Sequence, residues 1–141
     1  MNNELITTIS VEIYADKATV WDALTNPEKI KVYLFGTETI TDWKKGSEII
    51  FQGEYQGHKY KDKGIILDIN TNEIIQYSYW SGFSGLEDIP ENYSLVTYKL
   101  DNANGKTLLT LTQIGFSNEQ ALQHSQTAWT NVLQQIKRMS E

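Results

Sequence analysis

The chain ends in NEQALQHSQTAWTNVLQQIKRM (residues 118–139), and this stretch decides the fold. Its apolar side chains recur at three- and four-residue steps, which is the period of an amphipathic helix. At 1.5 Å per residue such a helix is about 30 Å long. Ser117 or Asn118 can cap its first turn, while Lys137 and Arg138 suit the negative end of its dipole. The sequence therefore predicts one long helix at the end of the chain.

Seven strand-like segments precede this helix. Residues 5–14 alternate between apolar and polar side chains, as a half-buried strand does. Two short helices are expected next, one capped by Asp16 and one by Asn26 with Pro27 at its first position. Consecutive antiparallel strands with helices set apart indicate the α+β class. The other six strands are expected near residues 36–41, 47–53, 58–69, 73–80, 93–101 and 106–115, between turn signals.

The imbalance between the sheet and the helix predicts a pocket. Seven paired strands about 4.8 Å apart make a sheet roughly 30 Å wide, whereas one helix is only about 10–12 Å across. The sheet must curl around the helix, and a space between them is a natural ligand site. Strand and helix periodicity predicts these wall residues: Trp43, Ile49, Phe51, Ile75, Tyr77, Tyr79, Val96, Tyr98, Leu109, Leu111, Gln113, Leu122, Trp129 and Leu133.

Several of these wall residues have two interpretations. A buried phenol needs a hydrogen-bond partner, so Tyr77, Tyr79 and Tyr98 offer polar handles to a planar ligand. Gln113 could orient a ligand carbonyl or bond to the backbone, and Trp43 could close one end of the pocket or pack in the core. Each wall residue is equally well explained as close-packed core. The predicted walls contain no Asp, Glu, Lys or His, which favours holding a molecule over transforming one.

Composition excludes several classes of function. Lys and Arg total 12 against 18 Asp and Glu, and the formal charge is −6 with scattered basic residues, so a nucleic-acid partner is not expected. There are no cysteines, and His58 and His124 have no acidic residue at a metal-like spacing. We therefore predict no metal, no cofactor and no catalytic residue. The N-terminus lacks a signal-like pattern and no apolar run reaches membrane-spanning length, which predicts a cytoplasmic protein without membrane insertion.

Two surface features remain open. Lys59, Lys61 and Lys63 are interpreted as a charged sheet edge or outer face. Residues 82–90, GFSGLEDIP, are long for a hairpin connection and carry three apolar side chains. This loop is either a lid over the pocket or a surface loop held by its own apolar residues. We expect residues 1–141 to form one domain, as a monomer or weak dimer.

Phrases spread along nearly the whole chain resemble one family. They are residues 18–28 (ATVWDALTNPE), 42–46 (DWKKG), 64–69, 106–113 (KTLLTLTQ) and 129–133. Together they resemble the activator of heat-shock protein 90 ATPase homologue family, within the START-related, birch-pollen-allergen-like (SRPBCC) superfamily. The resemblance implies the helix-grip fold, a seven-stranded antiparallel sheet wrapped around a long C-terminal helix.

The resemblance implies three functions. The first is a binding protein for a hydrophobic or aromatic small molecule, lipid-, polyketide- or flavonoid-like. The second is an enzyme like the polyketide cyclases and aromatases. Its chemistry needs an acid or a base in the cavity, and among the predicted wall residues only the tyrosines could supply one. The third is a chaperone-interaction domain that stimulates an ATPase; the chain starts directly at the first strand, which disfavours this chaperone partner. A small-molecule partner is the expectation.

Overall fold

Seven antiparallel strands form a curved sheet in the computed structural model, which describes residues 4–141. The spatial order is β1-β7-β6-β5-β4-β3-β2, so β1 and β2 are the edges. The predicted seven-stranded sheet is confirmed, although the second strand is shorter than predicted. The bounds are β1 Ile6–Ile13, β2 Glu38–Ile40, β3 Glu48–Tyr55, β4 His58–Asn70, β5 Ile74–Tyr79, β6 Ser94–Ala103 and β7 Lys106–Ile114.

Three α-helices complete the described part of the chain: α1 Lys17–Thr25, α2 Pro27–Tyr33 and α3 Glu119–Ser140. Each begins at a predicted cap whose side chain satisfies a free backbone N–H. Asp16 accepts from the Thr19 amide at 2.8 Å, and Asn118 accepts from the Ala121 amide at 2.8 Å. The helix-grip architecture expected from the sequence is therefore confirmed. None of these helices is long and apolar enough to cross a bilayer.

Strand register places one set of side chains on the concave face towards α3. Tyr77 pairs with Val96, which pairs in turn with Gln113, so these three side chains form one row across β5, β6 and β7. Because the side-chain period of a strand is two, the neighbouring rows face the same way. The strand faces predicted to point inward are largely buried, including Ile49, Ile75, Tyr98, Leu100, Leu109 and Leu111.

The C-terminal half of α3 packs against a filled part of the sheet. Leu133 and Ile136 are completely buried in the main hydrophobic cluster with Ile13 and Leu109. The Lys137 ammonium donates to the Glu12 carbonyl at 3.0 Å, which holds the end of the helix against β1. This half of the sheet–helix interface is a close-packed core.

Lys61 and Lys63 flank the buried Asp62 and therefore lie on the outer face; Lys59 and Lys61 pair with β3 alone, whereas Lys63 also forms a bridge with Trp80. A glycine allows β4 and β5 to approach closely at Gly64. A Cβ atom at this position would lie 1.6 Å from the Ser78 carbonyl oxygen, which no side chain can tolerate without a backbone shift.

The 82–90 loop contains one short 3-10 turn at Gly82–Ser84 and leads into a second at Pro90–Asn92. Asp88 forms an ion pair with Lys63 at 2.5 Å, and the Tyr93 hydroxyl donates to the same carboxylate at 2.5 Å. Phe83 is largely exposed and stacks obliquely on Tyr60, with 5.7 Å between ring centres. The loop is therefore tied to β4, and its role as a lid stays a prediction.

Candidate ligand-binding pocket

A cavity of about 270 Å³ lies between the sheet and the N-terminal half of α3. Three structural elements form its walls: the concave face of the sheet, one face of α3, and the connection between α2 and β2. The sheet contributes Phe51, Asp62, Tyr77, Tyr79, Val96 and Gln113; α3 contributes Ser125, Ala128, Trp129 and Val132; the connection contributes Leu34, Phe35 and Thr37.

Small helix side chains leave this space unfilled. Ser125 and Ala128 face the cavity from α3, whereas Leu133 and Ile136 fill the equivalent space further along the same helix. A serine or an alanine does not reach the sheet as a leucine or an isoleucine does, so these two positions leave room between Trp129, Val132 and the sheet.

The cavity opens to solvent beside the α2–β2 connection. Phe35 lines it and is 78% exposed, and Ala128 lines it from α3 and is also exposed. Phe35 adopts the left-handed backbone region with φ of 53°, and Gly36 follows with φ of 91°. This turn carries the chain from α2 into β2 and brings Leu34, Phe35 and Thr37 to the mouth.

The structure divides the predicted wall residues into three groups. Phe51, Tyr77, Tyr79, Val96, Gln113 and Trp129 line the main cavity. Trp43, Ile49, Ile75 and Tyr98 line a second space of about 20 Å³, shared with Phe51 and Tyr77, which has room for roughly one water molecule. Leu109, Leu111, Leu122 and Leu133 line neither of these two spaces.

Gln113 is held by two side chains. Its Oε1 accepts a hydrogen bond from the Trp129 indole Nε1 at 2.7 Å, and its Nε2 donates to the Ser94 hydroxyl at 3.0 Å. The Trp129 ring also meets the edge of Tyr98, with 5.9 Å between centroids and 86° between planes. Gln113 therefore fixes the position of the indole that forms the helix side of the cavity.

A carboxylate lies in the cavity wall, so the prediction that the walls hold no acidic group is wrong. Asp62 is only 7% exposed, and its Oδ2 accepts a hydrogen bond from the Tyr79 hydroxyl at 2.6 Å. Its Oδ1 is buried without a hydrogen-bond partner. The signal was present in the sequence: if Lys61 and Lys63 point outward on a strand, the residue between them points inward.

The tyrosines of the cavity are neutral hydrogen-bonding groups. Burial raises the pKa of the Tyr77 hydroxyl well above its ordinary value. Burial and the neighbouring Asp62 carboxylate raise the pKa of Tyr79 in the same direction. Both phenols therefore remain protonated near neutral pH and can donate or accept, but they do not serve as phenolate bases.

Sequence reasoning missed the three residues of the α2–β2 connection because a turn carries no periodic signal. Thr37 is the polar member of this group. Its hydroxyl donates to the Leu34 carbonyl at 2.7 Å and lies 2.5 Å from the Tyr60 hydroxyl. These bonds anchor the rim of the cavity to both α2 and β4. Within residues 4–141, no cluster of three or more His, Asp or Glu side chains is arranged to hold a metal ion.

Several solved structures share the fold of this chain over nearly its whole length. ChR145 from Cytophaga hutchinsonii is 41% identical, with 99% of this chain and 95% of that chain covered and a TM-score of 0.85. DynU16, a putative protein in the dynemicin biosynthetic locus, is 13% identical over 95% of this chain and 46% of that chain, with a TM-score of 0.77. The Aha1 dimer from Colwellia psychrerythraea is 15% identical over 94% and 92%, with a TM-score of 0.72.

No curated protein matches the sequence. A family match, by contrast, spans residues 14–141, from the end of β1 to the end of α3, and so includes every wall of the cavity. The chain therefore belongs to the family described as Activator of Hsp90 ATPase homolog 1-like protein.

Proposed function

We propose that the protein binds a hydrophobic or aromatic small molecule in the cavity between the sheet and α3. One observation carries this proposal: a space of about 270 Å³, lined mainly by aromatic and aliphatic side chains, lies beside the hydrophobic core. Apolar walls with a few convergent polar groups are typical of small-molecule sites.

The ring geometry of the walls suits a planar ligand. Phe51 meets Tyr77 at 5.6 Å with the planes tilted by 44°, and meets Tyr79 at 5.8 Å with the planes at 66°. Trp129 lines the opposite side from α3. Rings at such angles offer both faces and edges, which are the arrangements that aromatic groups prefer.

The volume limits the size of the ligand. Small-molecule pockets span about 300–1,000 Å³, so a cavity of about 270 Å³ lies just below that range. A compact body of one or two rings fits this space better than a long acyl chain. The open mouth between Phe35 and Ala128 gives such a molecule a route inward.

Native mass spectrometry of the protein purified from its own host tests the proposal. We expect a copurified small molecule at one per chain. Ala128→Trp places an indole at the cavity mouth and should abolish this adduct, whereas Asn131→Trp, on the exposed side of the same helix, should keep it. An adduct unaffected by Ala128→Trp would place the ligand elsewhere, and a protein without any adduct would contradict the proposal.

A second candidate is an enzyme like the polyketide cyclases, favoured by the Asp62–Tyr79 pair inside the cavity. Ring closure by an aldol step needs a group that removes a proton next to a carbonyl, and the Asp62 carboxylate, held by Tyr79 through one oxygen only, is the candidate base. The likeness to DynU16 lies in the fold. Product formation from a short polyketide-like chain should be lost in Asp62→Asn; turnover that survives this change would exclude Asp62 as the base.

A further inference from the structure

Asp62 is a buried carboxylate that the protein itself only half satisfies. Its Oδ2 accepts from Tyr79, but its Oδ1 has no hydrogen-bond partner. No ion pair between Asp62 and a cation is found within residues 4–141. Its sequence neighbour Lys63 points to the outer face and pairs with Asp88. The carboxylate therefore lacks both a second donor and a counter-charge.

Two other polar side chains around the cavity, Thr37 and Gln113, are already engaged. The Thr37 hydroxyl is bonded to Leu34 and Tyr60, and the Gln113 amide is bonded to Trp129 and Ser94. A buried carboxylate without a counter-charge is unfavourable, since it loses its hydration and gains too little in return. A ligand can therefore supply the hydrogen-bond donor and the positive charge that Asp62 lacks.

We propose that the ligand is a protonated amine on a compact aromatic or aliphatic body, with its ammonium group donating to Oδ1 of Asp62. This inference rests on the proposed function and names the ligand class of the same cavity. An ammonium supplies the donor and the positive charge together, and its hydrogen bond to a carboxylate is stronger than one between neutral groups.

The surroundings of Asp62 favour a cation. Asp62 lies directly opposite Phe51 on β3, and Phe51 and Tyr79 are stacked edge to face beside it. Aromatic faces attract ammonium groups through their quadrupole. The formal charge of −6 also draws cations towards the protein and repels anions. A carboxylate ligand would meet a like charge at Asp62.

The same geometry orients the ligand. Asp62 lies on β4 and Gln113 lies on β7, three strands away, and the row that contains Gln113 meets β4 at Ile66, four residues from Asp62. The ammonium would lie at the β4 end, and the apolar body would extend under α3 towards Val96 and Trp129.

Three probes of similar size test the proposal: phenethylamine, phenethyl alcohol and phenylacetate. Binding to the full chain is measured by NMR titration near neutral pH, with shifts mapped onto the cavity residues. We expect the amine to bind at least about tenfold more tightly than the alcohol, which is the effect of one charged hydrogen bond. Phenylacetate should bind most weakly.

Two variants form a matched pair for this test. Asp62→Asn keeps the shape of the side chain and should reduce amine binding at least about tenfold, while alcohol binding stays within about threefold. Asp68→Asn removes an exposed carboxylate from the same strand and the same unit of net charge, so it should leave the amine preference intact. If Asp62→Asn fails to fold, the amine-to-alcohol ratio of the wild type is compared with that of Asp68→Asn: an unchanged ratio supports the assignment, and a ratio that falls in Asp68→Asn overturns it in favour of the overall charge.

The outcomes separate this inference from the proposed function. Equal affinity for amine and alcohol, or an amine preference that persists in Asp62→Asn, would overturn the amine assignment while leaving a ligand pocket in place. Absence of binding by all three probes would also overturn the amine assignment. The proposed function would then be tested separately, by whether the native protein copurifies with a small molecule. An equal loss of amine binding in Asp62→Asn and Asp68→Asn would show that the amine preference comes from the overall charge of the protein, and this would also overturn the assignment to Asp62.

Discussion

The two halves of α3 meet the same sheet with opposite results. In the C-terminal half, Leu133 and Ile136 fill the interface completely. In the N-terminal half, Ser125 and Ala128 leave a cavity of about 270 Å³ in front of the same concave surface. A curled sheet around one helix is therefore not enough to make a pocket. The hollow half has Ser125 and Ala128 facing the sheet, where the filled half has Leu133 and Ile136.

The halves also differ in their polar groups. Asp62, Gln113 and Thr37 are buried around the hollow half. In the core, the fully buried Thr107 donates its hydroxyl to the Ala15 carbonyl at 2.8 Å, so this group is satisfied by the backbone. Asp62 keeps one oxygen without a partner. Of the three polar groups around the hollow half, Asp62 is thus the one with an oxygen left for a ligand.

The largest effect is expected in the filled half. Leu133→Ala should lower the free energy of unfolding by about 2–5 kcal/mol, because it removes buried methyl groups and leaves a new cavity. Urea unfolding followed by circular dichroism measures the change. A loss below about 1 kcal/mol would mean that this half can collapse to fill the gap, and the contrast between the halves would disappear.

Gln113→Leu should have the next largest effect. The Trp129 Nε1 donor would lose its partner, while the Ser94 hydroxyl would keep only its bond to the Tyr79 carbonyl. An unsatisfied buried group costs about 1–3 kcal/mol. Urea unfolding gives the stability, and the fluorescence of Trp129 should change as its ring loses its anchor. Gln126→Leu, on the exposed face of α3, is the control and should change neither.

Alkaline pH should destabilise the protein through its buried tyrosines. The folded-state pKa of Tyr77 is raised by burial, so above the ordinary tyrosine value of about 10 the unfolded chain loses a proton that the folded protein keeps. Stability is then complete below that pH and falls as pH rises. Each such tyrosine contributes about 1.4 kcal/mol per pH unit.

Tyr77→Phe isolates this contribution. Urea unfolding at a series of pH values from neutral to alkaline should show a shallower fall for the variant than for the wild type. Tyr55→Phe, at an exposed tyrosine, provides the comparison and should leave the slope unchanged. Parallel pH profiles for Tyr77→Phe and the wild type would show that Tyr77 titrates alike in both states.

The smallest effect is expected in the hollow half. Ala128→Leu adds apolar volume beside an existing space at an exposed helix position. The free energy of unfolding should change by less than about 0.5 kcal/mol, as at most surface positions. Thermal and urea unfolding measure it. A destabilisation comparable to that of Leu133→Ala would indicate that this half is already filled.

Much of the cavity could be predicted from periodicity. The inward positions of β3, β5, β6 and β7 followed from alternation, and Phe51, Tyr77 and Gln113 all line the cavity. Asp62 could also have been predicted to point inward, because it lies between two lysines of β4 that point outward and successive strand residues alternate between faces. Phe35 and Thr37 could not be predicted in this way, because they lie on a turn whose path depends on how α2 packs.

The sequence by itself determined the order of the elements, the helix caps and the face on which each strand residue lies. These are local properties, set by hydrogen bonding and by periods of 2 and 3.6 residues. Only the tertiary structure decided where the interior is hollow and that Asp62 Oδ1 has no partner. Both depend on distances between side chains remote in sequence, because a gap is a property of two facing surfaces and not of either one.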